Sequence, residues 1–239
     1  MFVDCEYNPL IEDFNKDGSL KLESVLKILE NSGNKHSDKS GDYILEGSNN
    51  GVTWVLTDWY VEVESFPKYG DKILARTWSQ NPDSLFGCPR DFELYANDKL
   101  CIKGTTYWVL FDLNRGRPAK ITPELISKYN PEEKSVFEEK KITKLSIPEN
   151  FTSEVIIKPR RNDIDFNGHV HNLVYIDYAM EAIPEEVYKA HLFKSIRINY
   201  KSAITDISDI TVKYAYVDDT HKVCIYDNKG DVKTIIQIK

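Results

Sequence analysis

No run of about 20 apolar residues occurs in this 239-residue chain, so no segment is suited to cross a bilayer as a helix. Cysteine is scarce. The four present, Cys5, Cys88, Cys101 and Cys224, lie at no metal-ligand spacing. They read as small core residues kept as thiols, not as ligands or nucleophiles. Positive charge is in deficit: 31 Lys and Arg stand against 38 Asp and Glu, a net charge of −7. That balance argues against general nucleic-acid binding, which needs a basic face to neutralise phosphates. The opening residues, "MFVDCEYNPLIED", show no basic segment followed by an apolar one. Neither a signal peptide nor a transit peptide is expected, and the expected location is cytoplasmic.

Apolar material is ample. Hydrophobic residues make up 41% and aromatics 12% of the chain, enough for a buried core in one large domain or two smaller ones. Two helices announce themselves. In "GSLKLESVLKILENSG", Leu22, Val25, Leu26 and Leu29 form one stripe, with Ser19 suited to cap its start and Gly33 to end it. In "GHVHNLVYIDYAMEAIP", Val170, Leu173, Ile176, Met180 and Ile183 form a second stripe, closed by Pro184.

Strand-like stretches follow each helix. The first set is "GVTWVLTDWYVEVESF", "DKILARTWSQ", "CPRDFELYAN" and "LCIKGTTYWVLFDL". The second is "SIRINYKS", "DITVKYAYVDD", "HKVCIYDN" and "VKTIIQIK", with "YAND", "NRGRP" and "NKGD" as turns. The polar stretch "ITPELISKYNPEEKSVFEEKKITKLSIPEN" reads as a linker with one or two helical turns.

One helix with several strands therefore occurs twice, and a faint repeat supports duplication of an α+β unit. "DFNKDGSL" at 13–20 and "DFNGHV" at 165–170 share Asp, Phe, Asn, Gly and an apolar residue if the first copy carries two extra residues. Ser19 then falls where His169 stands. The expected division is 1–140, a linker at 141–152, and 153–239.

The densest chemistry is "DIDFNGHVHNLVY", residues 163–175. Three readings apply. Asp165, His169 and His171 are metal-ligand types, but residues two apart on a helix point away from one another. Asp, Asn and Gly also open helices with no further role. Or the stretch is catalytic. A helix mouth at Gly168 and His169 would offer backbone N–H groups to a carbonyl oxygen. His169 would then serve as base, with Asn167 and Asp165 in support.

The stretch resembles the "DxNxHVNNxxY" signature of acyl-ACP thioesterases, and "RDFEL" and "YWVLFDLNRGRPAKITPEL" sit in the order that family shows. The resemblance implies a double hot-dog fold, α+β, in which each antiparallel sheet wraps one long helix. It implies hydrolysis of acyl-ACP to free fatty acid, with acyl carrier protein as partner, no cofactor, no metal, and a monomer or homodimer. A related hydrolase of acyl-CoA, and an acyl-binding member with weakened catalysis, are the alternatives.

The family's catalytic Asp, Asn and His match Asp165, Asn167 and His169, and its catalytic glutamate matches Ala203. His171 stands where the signature has asparagine. The acyl chain is expected in the N-terminal unit, with Trp54, Trp59, Trp78 and Phe86 as candidate walls and Asn172 as a further substrate contact. Core packing accounts for these aromatics equally. Lys158, Arg160, Arg161 and Arg197 are candidates for docking an acidic carrier protein.

Overall fold

The computed structural model describes residues 1–43, 51–139, 141–190 and 193–239. The chain forms two compact units, Met1–Ile142 and Thr143–Lys239. In the first, helix α1 (Leu22–Lys39) lies against an antiparallel sheet of β1 (Val3–Tyr7), β2 (Val52–Val63), β3 (Ile73–Ser79), β4 (Gly87–Ala96) and β5 (Lys99–Asp112). Their order is β1-β3-β4-β5-β2, and a two-residue β6 (Arg117–Pro118) sits beside β5. A short α2 (Pro123–Lys128) follows.

The second unit repeats the plan. β7 (Ser153–Ile157), β8 (Ser195–Tyr200), β9 (Ile210–Val217), β10 (Thr220–Tyr226) and β11 (Val232–Ile238) run β8-β11-β10-β9-β7. Helix α3 (Val174–Ala182) packs on β7, β9, β10 and β11, and α4 (Glu185–Ala190) follows it. Each unit is thus a sheet curled about one helix, the hot-dog arrangement. No helix among the described residues is long and apolar enough to cross a membrane.

Alternation along the strands fixes which face meets the helix. Val61, Phe92 and Leu29 surround Gly104, where an added Cβ would come within 3.4 Å of Leu29 and Val61, so this row lies under α1. Gly33 does not end α1. It lies inside the helix, and its missing side chain lets Arg90 and Phe92 approach, the Arg90 Cδ to 3.4 Å of where a Cβ would stand. Ser19 caps nothing helical either, because α1 begins at Leu22 after Lys21.

The polar stretch expected as a linker is a strap on the first unit. Glu132 N–H donates to the Ser79 carbonyl (2.9 Å), Trp78 Nε1–H to the Lys134 carbonyl (2.7 Å) and Val136 N–H to Asp91 Oδ2 (2.8 Å). Val136 and Phe137 bury themselves against Trp78. Two apolar residues, masked by charged neighbours in the sequence, decide this course. In the second unit Leu145 and Phe151 cover Cys224 and Ile235 in the same manner.

A buried polar group ties α1 to its sheet. The Arg90 guanidinium can only donate, and its Nη1 lies 2.8 Å from His36 Nδ1, so that nitrogen accepts. The other ring nitrogen then carries the hydrogen and donates to the Tyr129 carbonyl at 3.3 Å. Both acceptor geometry and surroundings keep the imidazole neutral. Burial, then the adjacent Arg90 charge, lower its pKa to about 3. The unfolded chain binds this proton below about pH 6.5, the folded one only near pH 3, so acid favours unfolding between them. Stability should be fully present above pH 6.5 and fall by roughly 2–3 kcal/mol between pH 7 and 4.5 through this group alone. Urea unfolding of wild type and His36→Asn at both pH values checks this: the variant, which cannot titrate here, should show the smaller loss.

Candidate active site

The chemistry-bearing stretch is a small closed loop, built the same way in both units. In the second unit a 3-10 turn spans Arg161–Asp163. Asp163 N–H donates to the Arg160 carbonyl (3.0 Å), Ile164 bridges Val170, and His171 N–H donates to the Asp163 carbonyl (2.8 Å). Inside that ring, Asp165 N–H donates to the His169 carbonyl (2.7 Å) and Gly168 N–H to the Asp165 carbonyl (3.0 Å).

The first unit repeats each bond with residue numbers lower by 150. Asp13 N–H donates to Leu10, Phe14 bridges Leu20, Lys21 N–H donates to Asp13 (2.8 Å), Asn15 N–H to Ser19 (2.8 Å) and Gly18 N–H to Asn15 (2.9 Å). Gly18 and Gly168 hold φ of 78° and 77°. The repeat therefore needs no inserted residues: Asp13 matches Asp163, not Asp165, and the chance echo of "DF" hid this. Ser19 does correspond to His169.

This loop precedes the helix rather than opening it. α3 starts at Val174, five residues after His169. The donors expected at a helix mouth are accordingly committed elsewhere: Gly168 N–H to the Asp165 carbonyl, His169 N–H to Asp165 Oδ1 at 3.2 Å. Asp165 Oδ1 also accepts from Asn167 N–H at 2.8 Å. A carboxylate accepting two amides within four residues is a local turn device. Asp165 thus shapes the tip that displays Asn167, which is exposed, and His169, which is half-buried. Among the described residues neither the Asn167 amide group nor the His169 ring has a hydrogen-bond partner.

The segment after β8 is fastened to this loop. Val170 N–H donates to the Ile204 carbonyl (2.9 Å), Ile204 N–H to the Tyr175 hydroxyl oxygen (2.9 Å), and the Tyr200 hydroxyl to the Asn172 carbonyl (2.8 Å). Ala203 lies between these ties, exposed, just past the end of β8. Asn172 is held through its backbone.

The remaining candidates scatter. Trp59 is 1% exposed and stacks on Phe92 at 5.4 Å, with its Nε1–H unpartnered among the described residues. Trp54 donates to Asp42 Oδ2 at 3.0 Å. Trp78 faces the strap, not α1, and Phe86 is exposed in the turn before β4. Arg160 holds Asp163 (2.8 Å) and Arg197 donates to the Thr143 carbonyl (2.6 Å), whereas Lys158 and Arg161 are exposed. Among the described residues no three His, Cys, Asp or Glu gather as a metal would need.

Sequence reasoning passed over Asp163, whose side chain is 2% exposed, and Tyr178, which donates to it at 2.6 Å. Arg160, Asp163 and Tyr178 spell no motif. The signal was available only in the 150-residue register, which shows Asp in both copies.

The acyl-ACP thioesterase N-terminal domain model matches residues 2–129, and the corresponding C-terminal domain model matches residues 148–238. An oleoyl-acyl carrier protein thioesterase of Coriandrum sativum is 28% identical over 202 residues, 75% of this chain and 53% of that protein. A second from Arabidopsis thaliana is 32% identical over 162 residues, 63% of this chain and 44% of that protein. The chain spans about half the length of the curated relatives it matches. A 12:0-ACP thioesterase from Umbellularia californica superposes with a TM-score of 0.90 at 20% identity, covering 100% of this chain and 96% of that one. An acyl-ACP thioesterase from Bacteroides thetaiotaomicron gives 0.86, also at 20% identity, covering 99% and 96%. These likenesses establish the fold.

With open space around the position a Cβ would take at both glycines, Gly168→Ala and Gly18→Ala should each cost only backbone strain. About 1–2 kcal/mol apiece is expected, of similar size in the two loops, read from urea midpoints. A much larger loss at either would mean the loops are held differently.

Proposed function

The chain belongs to the acyl-ACP thioesterase family, and from that premise we propose that it hydrolyses acyl-ACP to free fatty acid and carrier protein. The observation that carries the reading is the loop tip, where Asp165 spends its carboxylate on backbone amides and leaves Asn167 and His169 presented together.

In this reading His169 takes a proton from water as the oxygen attacks the thioester carbonyl carbon. The C–O bond forms, the C–S bond breaks, and the same imidazole returns the proton to the departing thiolate. Because the Gly168 and His169 amides are occupied, the carbonyl oxygen falls to the Asn167 side-chain NH2. Asp165 acts on the backbone, not on the His169 ring.

Ala203 favours a second reading, an acyl-binding member with slow turnover. It is exposed and firmly registered beside the loop, yet carries no group able to hold a water. A missing acid/base contribution is worth about 10²–10⁴-fold in rate.

Incubation with acyl-ACP and acyl-CoA of several lengths, with free acid measured, tests both readings. Hydrolysis of acyl-ACP lost in His169→Ala is expected. Tight acyl binding without turnover in the wild type would select the second reading. Ala203→Glu should then raise kcat by about 100-fold or more, the lower bound for one acid/base group.

For docking, Arg160 is a poor probe, since reversing it disturbs Asp163. Lys158→Glu with Arg161→Glu should raise KM for acyl-ACP several-fold at low salt and leave acyl-CoA turnover unaltered. Equal KM for wild type and variant would remove these residues from the carrier surface.

A further inference from the structure

We infer that Asp163 is a positioning residue for the reacting tip, fixing the loop that carries His169 to helix α3. The inference rests on the hydrolytic reading of that tip. Asp163 touches neither Asn167 nor His169, so it acts through the loop.

The carboxylate is enclosed and well partnered. Oδ2 accepts from Arg160 N–H (2.7 Å) and from the Tyr178 hydroxyl (2.6 Å), and Oδ1 accepts from Arg160 Nε (2.9 Å), with Arg160 Nη2 as its ion-pair partner at 2.8 Å. Its own carbonyl takes the His171 amide, which closes the ring two residues beyond His169. One residue thus joins the entry of the loop and the helix behind it through its side chain, and the exit through its backbone. Burial opposes the charge, but the Arg160 side chain, the Tyr178 hydroxyl and the Arg160 amide outweigh it and hold the carboxyl below the ordinary range. It is a carboxylate at neutral pH.

The loop has further fastenings toward the segment after β8: Val170 and Tyr175 to Ile204, and Tyr200 to the Asn172 carbonyl. These hold its exit and the helix. At its entry, from which Asp165 and Asn167 lead, the Asp163 carboxylate is the side-chain fastening to the helix among the described residues, beside the backbone bridge of Ile164 to Val170. Weakening it should therefore leave the loop attached at one end and turn its tip.

The first unit supplies a control within the same molecule. Asp13 accepts from Leu10 N–H (2.8 Å) and from the Ser24 hydroxyl on α1 (2.8 Å), and its carbonyl takes the Lys21 amide. It does the same structural work for a tip that carries Ser19 instead of an imidazole. A merely structural carboxylate should then matter equally in both places.

The experiment compares Asp163→Asn with Asp13→Asn in the full chain. Both should lower the thermal midpoint, Asp163→Asn by more, because it also breaks the ion pair to Arg160. Only Asp163→Asn should reduce kcat for acyl-ACP, by about 10- to 100-fold with KM within about threefold, as expected for a misplaced reacting group. Asp13→Asn should keep kcat within about twofold, the scale on which a loop without reacting groups leaves positioning untouched.

Long-range ¹H–¹⁵N spectra of the histidine rings give a readout independent of activity. His169, assigned by its loss in His169→Gln, should shift or broaden in Asp163→Asn and not in Asp13→Asn, with His36 as the fixed reference. Equal kcat losses in the two variants, or an unmoved His169 resonance, would overturn the inference. If Asp163→Asn does not fold, Tyr178→Phe replaces it, and unchanged kcat and His169 signals there would count against the proposal. If wild type hydrolyses no acyl-ACP, the hydrolytic reading has failed separately, and the ring spectra alone decide whether Asp163 places the tip.

Discussion

A carboxylate at the root of each loop gathers donors, and the demand is strongest at Asp163, which is buried, where Asp13 is half-buried. Asp13 and Asp163 each accept from the backbone amide that precedes their own 3-10 turn and from a hydroxyl on the following helix. Each also lends its carbonyl to close the ring. The rest of the site follows from that anchor: the left-handed glycine, the tight tip, and the distance between tip and helix start. The two units differ in how they satisfy the acid. Ser24 serves Asp13 from the first turn of α1, while Tyr178 reaches Asp163 from the middle of α3 and Arg160 adds a guanidinium.

The strands were legible because Val, Trp, Tyr and Ile alternate with polar residues and are punctuated by turn pairs. Asn97 and Asp98, both at positive φ, turn the chain where "YAND" stands. The short β1 and β7 were not seen, since five residues give too little alternation to separate from a loop. The motif residues were legible as a cluster, yet their backbone was not. Apolar spacing from Val170 onward mimics a helix, but Val170 is a bridge residue facing Ile164, and helical bonding waits until Val174. Periodicity records which residues are buried; it does not record which backbone bonds bury them. Gly33 misled for a related reason. A glycine signals permissive backbone or close approach, and only the packing of Arg90 and Phe92 against α1 selects the second.

Electrostatics separates the far end of α1 in the first unit from the loop tip of the second. At the far end of α1, Arg90 and His36 form a buried donor–acceptor pair that requires a neutral ring. His169 lies in a setting of another kind, half-buried on a displayed tip with no partner for its ring among the described residues. Two histidines of one sequence thus fill opposite roles. One is fixed as an acceptor by a cation beside it; the other is left with both nitrogens uncommitted, the condition general acid–base chemistry needs.

The exact 150-residue register carries a consequence for how such a protein can change. Because each loop is closed by bonds at fixed positions, its length is frozen while its tip is free to be rewritten. Residues 15–19 and 165–169 are two tips on one frame, "NKDGS" in the first and "DFNGH" in the second. The first unit thus holds a second copy of the same frame, with Ser19 at the place of His169.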